Sequence, residues 1–373
     1  MTTALRPERD MQVENLGDYE ARVLFPEPKP SPLTTKYATV FSAKKPLQLE
    51  LGGTLAPVRV AYTTYGTLNE ARDNAVVVCH ALTGSSQVGG SDGWWPELIG
   101  PGRMLDTDRD FVICSNVLGG CYGTTGPASP EPETGRDYGP NFPEITIADM
   151  VQVQRALADH LNIGSVRAVV GGSMGGMLAL EWLKQNPDFV RSGVVIGAPA
   201  RHSAWGIIFS HLARMAIQND PDFRGGRYAA QPGGLALARA ITTLFFRCPE
   251  SFGLTQGRRP SPTDITRFAM ETYLEHQGEK LLERFDANAY ITISKAMDRF
   301  ALTDEELVGI SQPVFCVGIS SDILYLPSEV QELAQKIPDS LYWELMSPHG
   351  HDAFLLETDV LEIAVTAFLE KQA

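Results

Sequence analysis

An α/β fold, with a mostly parallel central sheet flanked by helices and a helical segment inserted into it, is predicted by three observations. A strand-like run, a Gly-x-Ser-x-Gly turn and a helix-like pattern follow one another at Val166–Val170, Gly171–Gly175 and Met177–Leu183. A β pattern resumes at Gly193–Ile196, and two such strands joined through a helix imply a right-handed parallel crossover. Helical spacing then dominates Ala200–Leu307 before strand-like runs return at Val314–Val317 and Leu341–Leu345.

Taken in order, residues 1–45 contain the run Pro26–Pro32, four of whose seven residues are proline, which continues neither a helix nor a central strand and reads as a loose arm. Val58–Tyr65 alternates and is β-rich, and Ala75–Cys79 and Phe111–Cys114 are short apolar runs without helical spacing, so all three are expected to be strands. Ile147, Met150, Val153, Leu157 and Leu161 recur at three or four residues. Thr146 with Asp149 three positions on resembles a capping box at the start of that helix. The helix after the turn runs to Asn186–Pro187. Glu329–Ile337 reads as a helix, and Ala353–Leu369 as one closing amphipathic helix. The expected organisation is an arm at 1–45, a core made of 46–199 and 308–373, and a helical lid at 200–307.

Composition narrows the function. A formal net charge of −14 repels polyanions, so nucleic acid is excluded as a partner. Five cysteines without a Cys-x-x-Cys pair sit mostly in apolar runs, as buried thiols of a reducing compartment do. No run reaches the about 18 apolar residues of a membrane span, and residues 1–30 carry no apolar signal core. A soluble cytoplasmic protein is expected. His202, His211 and His276 lack a carboxylate or second histidine at ligand spacing, so no metal is indicated and solvated or capping roles are assigned to them.

Ser173 is the candidate nucleophile. In Gly171-Gly172-Ser173-Met174-Gly175 the glycines relieve a sharp strand-to-helix reversal and leave the hydroxyl exposed above a sheet. A serine hydroxyl is a weak nucleophile and needs an imidazole base oriented by a carboxylate, which here follow in the order Ser, Asp, His. Asp322 lies in a loop after the Val314–Val317 strand, and His349 and His351 share a loop after Leu341–Leu345. Spacing does not choose between the two histidines, although proximity to the last helix favours His351. An oxyanion hole would use the backbone N–H of Met174, directly after the nucleophile, and one from His80–Gly84, with Leu82 the preferred donor. The run Leu118–Pro127 lacks the Gly-Lys-Ser/Thr ending of a phosphate loop and reads as a structural or pocket-edge loop.

Several segments together are more specific than the serine turn: Tyr65–Asn69, Asp73–Val76, His80–Gly84, Gly93–Trp95, Asn116–Gly123, Gly171–Met177 and Gly350–Phe354. They resemble the homoserine O-acyltransferase family of α/β-hydrolase fold enzymes, the acetyltransferases of methionine biosynthesis, over nearly everything after the arm. The resemblance implies Ser173 as nucleophile, Asp322 as orienting carboxylate and His351 as base. It also implies substrate roles for Arg247 and Asp352, which suit the carboxylate and ammonium of a zwitterion. Acetyl-CoA as donor substrate, L-homoserine as acceptor, no bound cofactor and a homodimer complete what it implies. Related enzymes use succinyl-CoA or accept serine, and the family often has a tyrosine where this chain has Phe246. Two other readings of the residues stand beside it: a hydrolase of small esters or thioesters, and a non-catalytic relative that binds a small ligand.

Overall fold

The computed structural model describes residues 35–372. Eight strands form one sheet: β1 (Lys36–Phe41), β2 (Val58–Tyr65), β3 (Ala75–Cys79), β4 (Phe111–Ser115), β5 (Val166–Gly172), β6 (Gly193–Ile196), β7 (Val314–Ile319) and β8 (Ser340–Leu345). Their spatial order is β1-β2-β4-β3-β5-β6-β7-β8. Pairing is antiparallel for β1–β2 and β2–β4 and parallel for every pair from β4 to β8. β1 lies inside the span read as arm, so regular structure is present from Lys36 among the described residues and not only after residue 45. The Pro26–Pro32 run falls outside the described residues.

The apolar strand runs are explained by burial on both faces. In β3, Ala75, Val77 and Cys79 face one core and Val76 and Val78 the other. Helices α1 (Ile147–His160) and α2 (Met174–Gln185) cover the first face with Ile147, Met150, Val153, Leu157, Met177 and Leu180. α1 opens with the expected capping box: Thr146 Oγ1 accepts from the Asp149 N–H, and Asp149 Oδ2 accepts from the Thr146 N–H. Asp149 Oδ1 also accepts from the Glu50 N–H at 2.9 Å, which fixes the chain between β1 and β2 onto this helix.

Between β6 and β7 come α3 (Ala204–Gln218), α4 (Gly233–Phe246), α5 (Pro249–Thr255), α6 (Ala269–Arg284), α7 (Ala287–Asp298) and α8 (Asp304–Val308). They form a cap over the carboxyl ends of the strands. α9 (Pro327–Lys336) returns to the first face through Val330 and Leu333. The closing segment is two helices, α10 (Ala353–Leu356) and α11 (Thr358–Lys371), where the sequence reads as one. Glu357, at φ −91° and ψ 48°, leaves helical geometry between them, and Leu361, Val365 and Phe368 of α11 then cover the second face.

The order reverses at β3 and β5, where the chain departs in opposite directions along the sheet. Such a switch leaves a crevice at the carboxyl ends of those strands. The loops after β3, β5, β7 and β8 all open there.

Candidate active site

Ser173 joins β5 to α2 at φ 59° and ψ −127°, a region costly for a residue with a side chain. Its surroundings hold it there. The Ser173 N–H donates to the Ile196 carbonyl at 2.9 Å, and the Gly176 N–H donates to the Ser173 carbonyl at 2.8 Å. A Cβ on Gly171 would lie 2.2 Å from the Gly175 carbonyl oxygen, and one on Gly175 would lie 2.1 Å from that of Cys79. Only glycine permits this reversal against β3, which is the physical reason for the Gly-x-Ser-x-Gly pattern.

His351, in the loop after β8, places Nδ1 at 2.6 Å from Asp322 Oδ2. Asp322 follows β7, and its other oxygen accepts the N–H groups of Leu324 at 2.8 Å and Tyr325 at 3.0 Å. The carboxylate is thus fixed by its own turn, and Nδ1–H must be the donor, which leaves the lone pair of His351 on Nε2. Nε2 is buried and has no protein partner among the described residues. Burial pulls the His351 pKa down, and the Asp322 carboxylate outweighs burial, so the net shift is upward from 6.5. Aromatic rings confine the imidazole: Tyr325 at 5.2 Å and Phe354 at 5.7 Å stand edge-on, and Phe246 stacks at 6.2 Å.

A cavity of about 70 Å³ opens beside Ser173, walled by Leu82, Arg239, Phe246, Arg284, His351 and Asp352. The N–H groups of Leu82 and Met174 donate to no protein acceptor among the described residues. Met174 is the first residue of α2, so its N–H points out of a helix N-terminus where negative charge is favoured. His80 shapes the Leu82 loop. Burial pulls its pKa down to about 4, so the ring is neutral near pH 7. Nδ1–H donates to the Ala81 carbonyl at 2.8 Å, and Nε2 accepts from the Val117 N–H at 3.1 Å.

The structure brings together Ser173, Asp322, His351, Leu82, Met174 and Asp352. It does not bring Arg247 to the same wall. Arg247 is buried and ion-paired with Asp352 at 3.0 Å, and it lines a separate cap cavity of about 650 Å³. The guanidinium that does face the Ser173 cavity belongs to Arg239 on α4, over the Phe246 ring at 5.3 Å. Arg284, the last residue of α6, also reaches the cavity, donating to the Thr83 carbonyl at 2.6 Å and to the Tyr122 hydroxyl at 2.7 Å. Neither arginine stands out in a motif. The signal available for Arg239 was its helical face, shared with Leu235, Thr242 and Thr243, all buried.

His349 turns elsewhere. Its Nε2 lies 4.0 Å from Glu357 Oε1 and its N–H donates to Ser347 Oγ, so it belongs to the loop's scaffold. His202 is buried and not solvated as expected: Nε2 pairs with the Tyr325 hydroxyl at 3.1 Å and Nδ1 lies 3.2 Å from Asp298 Oδ1. The Leu118–Pro127 loop is structural, with Thr124 and Thr125 hydroxyls accepting from the N–H groups of Ala61 and Arg59 on β2.

Residues 74–358 match the family model described as the alpha/beta hydrolase fold. A homoserine O-acetyltransferase of Trichormus variabilis is 48% identical over 331 residues, covering 87% of this chain and 91% of the relative. One of Thermus thermophilus is 42% identical, covering 96% of this chain and 99% of the relative. Among solved structures, homoserine O-acetyltransferase from Bacillus anthracis superposes with a TM-score of 0.83 at 27% identity, over 90% of this chain and 98% of that one. Esterase E22 superposes with a TM-score of 0.82 at 27% identity, over 90% of this chain and 100% of its own. A serine elbow and a carboxylate-held imidazole meeting at one small cavity agree with these likenesses, and the chain belongs to the homoserine O-acetyltransferase family of the α/β-hydrolase fold.

Proposed function

We propose that the protein transfers an acetyl group from acetyl-CoA to the side-chain hydroxyl of L-homoserine through an acyl-serine. The observation that carries this reading is the shared cavity of Ser173 and His351 with the guanidinium groups of Arg239 and Arg284 and one carboxylate, Asp352; Arg284 is bonded to Thr83 and Tyr122, and Arg239 is the assigned anchor. A zwitterionic amino acid needs that pair, an arginine fork for its carboxylate and a carboxylate for its ammonium group.

In the first half-reaction, His351 Nε2 takes the Ser173 proton as Oγ attacks the thioester carbonyl. The Leu82 and Met174 N–H groups hold the oxyanion, and the C–S bond breaks as the CoA thiolate leaves with the proton from His351. In the second, homoserine is anchored by Arg239 and Asp352, His351 removes its hydroxyl proton, and that oxygen displaces Ser173. His351 then returns a proton to Oγ. Water competes for the same acyl-enzyme, and the cap helices over the cavity restrict its access.

One observation favours a second reading, an esterase or thioesterase: esterase E22 shares the fold as closely as the acetyltransferase structure does. Release of CoA from acetyl-CoA with and without homoserine separates the two. A transferase accelerates markedly with homoserine and forms the O-acetyl product, whereas equal rates with free acetate as product identify a hydrolase.

Two further properties are part of the proposal. Trp205, Ile208, Leu212 and Met215 form an exposed apolar row on α3, with Leu237 and Leu244 exposed on α4. A contiguous apolar face of this kind supports a homodimer through the cap. All five cysteines are free thiols and no helix among the described residues is long and apolar enough to cross a membrane, which supports a cytoplasmic setting.

A further inference from the structure

We propose that His202 is a positioning residue for the Ser173 site: without touching substrate, it holds Tyr325, and through Tyr325 it fixes both the turn that carries Asp322 and the ring that walls His351. This rests on the assignment of Ser173, Asp322 and His351 as nucleophile, orienting carboxylate and base made above.

Tyr325 meets the Asp322–His351 pair twice. Its N–H donates to Asp322 Oδ1 at 3.0 Å, beside that of Leu324 at 2.8 Å, while Oδ2 of the same carboxylate holds His351 Nδ1. Its ring is fully buried and stands edge-on to the His351 imidazole at 5.2 Å. Burial, and after it the charges of Asp322, Glu329 and Asp298, push the Tyr325 pKa well above 10, so the hydroxyl keeps its proton. A buried hydroxyl needs a partner, and the partner here is His202 Nε2 at 3.1 Å.

His202 stands between β6 and α3, at the root of the cap. Its N–H donates to the Phe300 carbonyl at 2.9 Å. Its ring lies so close to Gly206 that a Cβ there would be 2.3 Å from Nε2, which leaves the imidazole no second position. Nδ1 lies 3.2 Å from Oδ1 of Asp298, the last residue of α7. Arg214 of α3 donates to Asp298 Oδ2 at 2.6 Å and to Ser294 Oγ at 3.3 Å. Burial pushes the Asp298 pKa up, and His202 and Arg214 together outweigh burial, so the net shift is downward and the carboxylate keeps its charge. A carboxylate facing Nδ1 keeps the hydrogen on that nitrogen and leaves Nε2 to accept from the Tyr325 hydroxyl.

Arg214, Asp298, His202 and Tyr325 thus form one buried line from the cap helices to Asp322. A second tie runs beside it, from Trp205 Nε1 on α3 to the Ile323 carbonyl at 2.6 Å. None of the four residues in the line belongs to the wall of the cavity beside Ser173, so their effect on the reaction passes through the geometry of Asp322 and His351.

The test reads the acylation of Ser173 by 4-nitrophenyl acetate, followed as release of 4-nitrophenolate and normalised to the sites that a fluorophosphonate labels. Neither CoA nor an acceptor takes part, so the outcome is independent of the homoserine comparison that decides between transferase and hydrolase. Tyr325→Phe and His202→Leu each lower the rate constant per site roughly tenfold, with the ester KM within about twofold of wild type. His202→Gln, whose amide oxygen accepts from the Tyr325 hydroxyl, restores most of the rate. The double variant is no slower than His202→Leu alone. Tyr325→Phe removes a single hydroxyl and serves where His202→Leu does not fold. Variants that lose thermal stability but keep the wild-type rate per site, or whose losses multiply in the double variant, make His202 structural, and the positioning role is overturned while the function stands. A wild-type protein that is not acylated at Ser173 overturns the assignment of the nucleophile, and the positioning role with it.

Discussion

His351 Nδ1 meets Asp322 Oδ2 at 2.6 Å inside a ring of aromatic side chains, so the imidazole, which lines the cavity beside Ser173, is held in one tautomer with the lone pair on Nε2. Asp322→Asn keeps the shape but permits the wrong tautomer, and kcat is expected to fall by roughly 10⁴-fold, the loss seen for such a change in serine hydrolysis. The acid limb of the pH–rate profile gives a second check. Asp322 outweighs burial and holds the His351 pKa above 6.5, so activity falls as pH drops through that raised value. In Asp322→Asn burial is opposed only by the weaker pull of Asp352, and the acid limb moves to lower pH. The same shift governs stability: a histidine whose folded pKa exceeds its unfolded value stabilises the fold fully below about pH 6.5 and loses that contribution as pH rises through the folded pKa.

Arg239 faces the cavity over the Phe246 ring and is the assigned anchor for the acceptor carboxylate. Arg239→Met is expected to raise the homoserine KM by roughly 10- to 100-fold, the worth of a charge-assisted hydrogen bond or two. Acylation of Ser173 by acetyl-CoA, followed as the burst of CoA release, loses much less. A loss confined to the burst would place Arg239 with the donor instead.

Arg284 ties the cap to the oxyanion loop through Thr83 and Tyr122, and Phe285 packs edge-on to the Tyr122 ring at 5.8 Å. Arg284→Met frees the loop that carries the Leu82 N–H. Since losing an oxyanion donor outright costs roughly 10²- to 10³-fold in kcat, loosening one is expected to cost about tenfold in both half-reactions, with a small change in KM. Pre-steady-state rates of acylation and deacylation measure both.

The apolar row on α3 is expected to be covered in a dimer. Leu212→Glu places a charge in that row, and sedimentation velocity is expected to show the variant as a monomer at concentrations where the wild type is a dimer. A variant that stays dimeric locates the interface elsewhere.

The candidate triad was legible because each member stands in a loop directly after a strand-like run, where the order Ser, Asp, His carries meaning. The close glycine contacts of Ser173 explain why that motif is so constrained. β1 was missed because it is a sheet-edge strand with only Ala38 fully buried, which leaves no alternating apolar signature. The break at Glu357 was missed because α10 and α11 are both apolar on their inner side and no glycine or proline separates them. The places of Arg247 and Arg239 were not legible in the sequence. The two arginines lie eight residues apart, Arg239 within α4 and Arg247 at its end, and spacing alone does not show that Arg247 pairs with Asp352 while Arg239 lines the cavity beside Ser173.

The account turns on Ser173 carrying the acyl group. Intact-mass analysis of the wild-type protein after rapid mixing with acetyl-CoA alone is predicted to give one acetyl group on Ser173, discharged on addition of homoserine and absent in Ser173→Ala. A wild-type protein that turns over homoserine with no acylated species in the pre-steady state, or a Ser173→Ala variant that retains transfer, contradicts it.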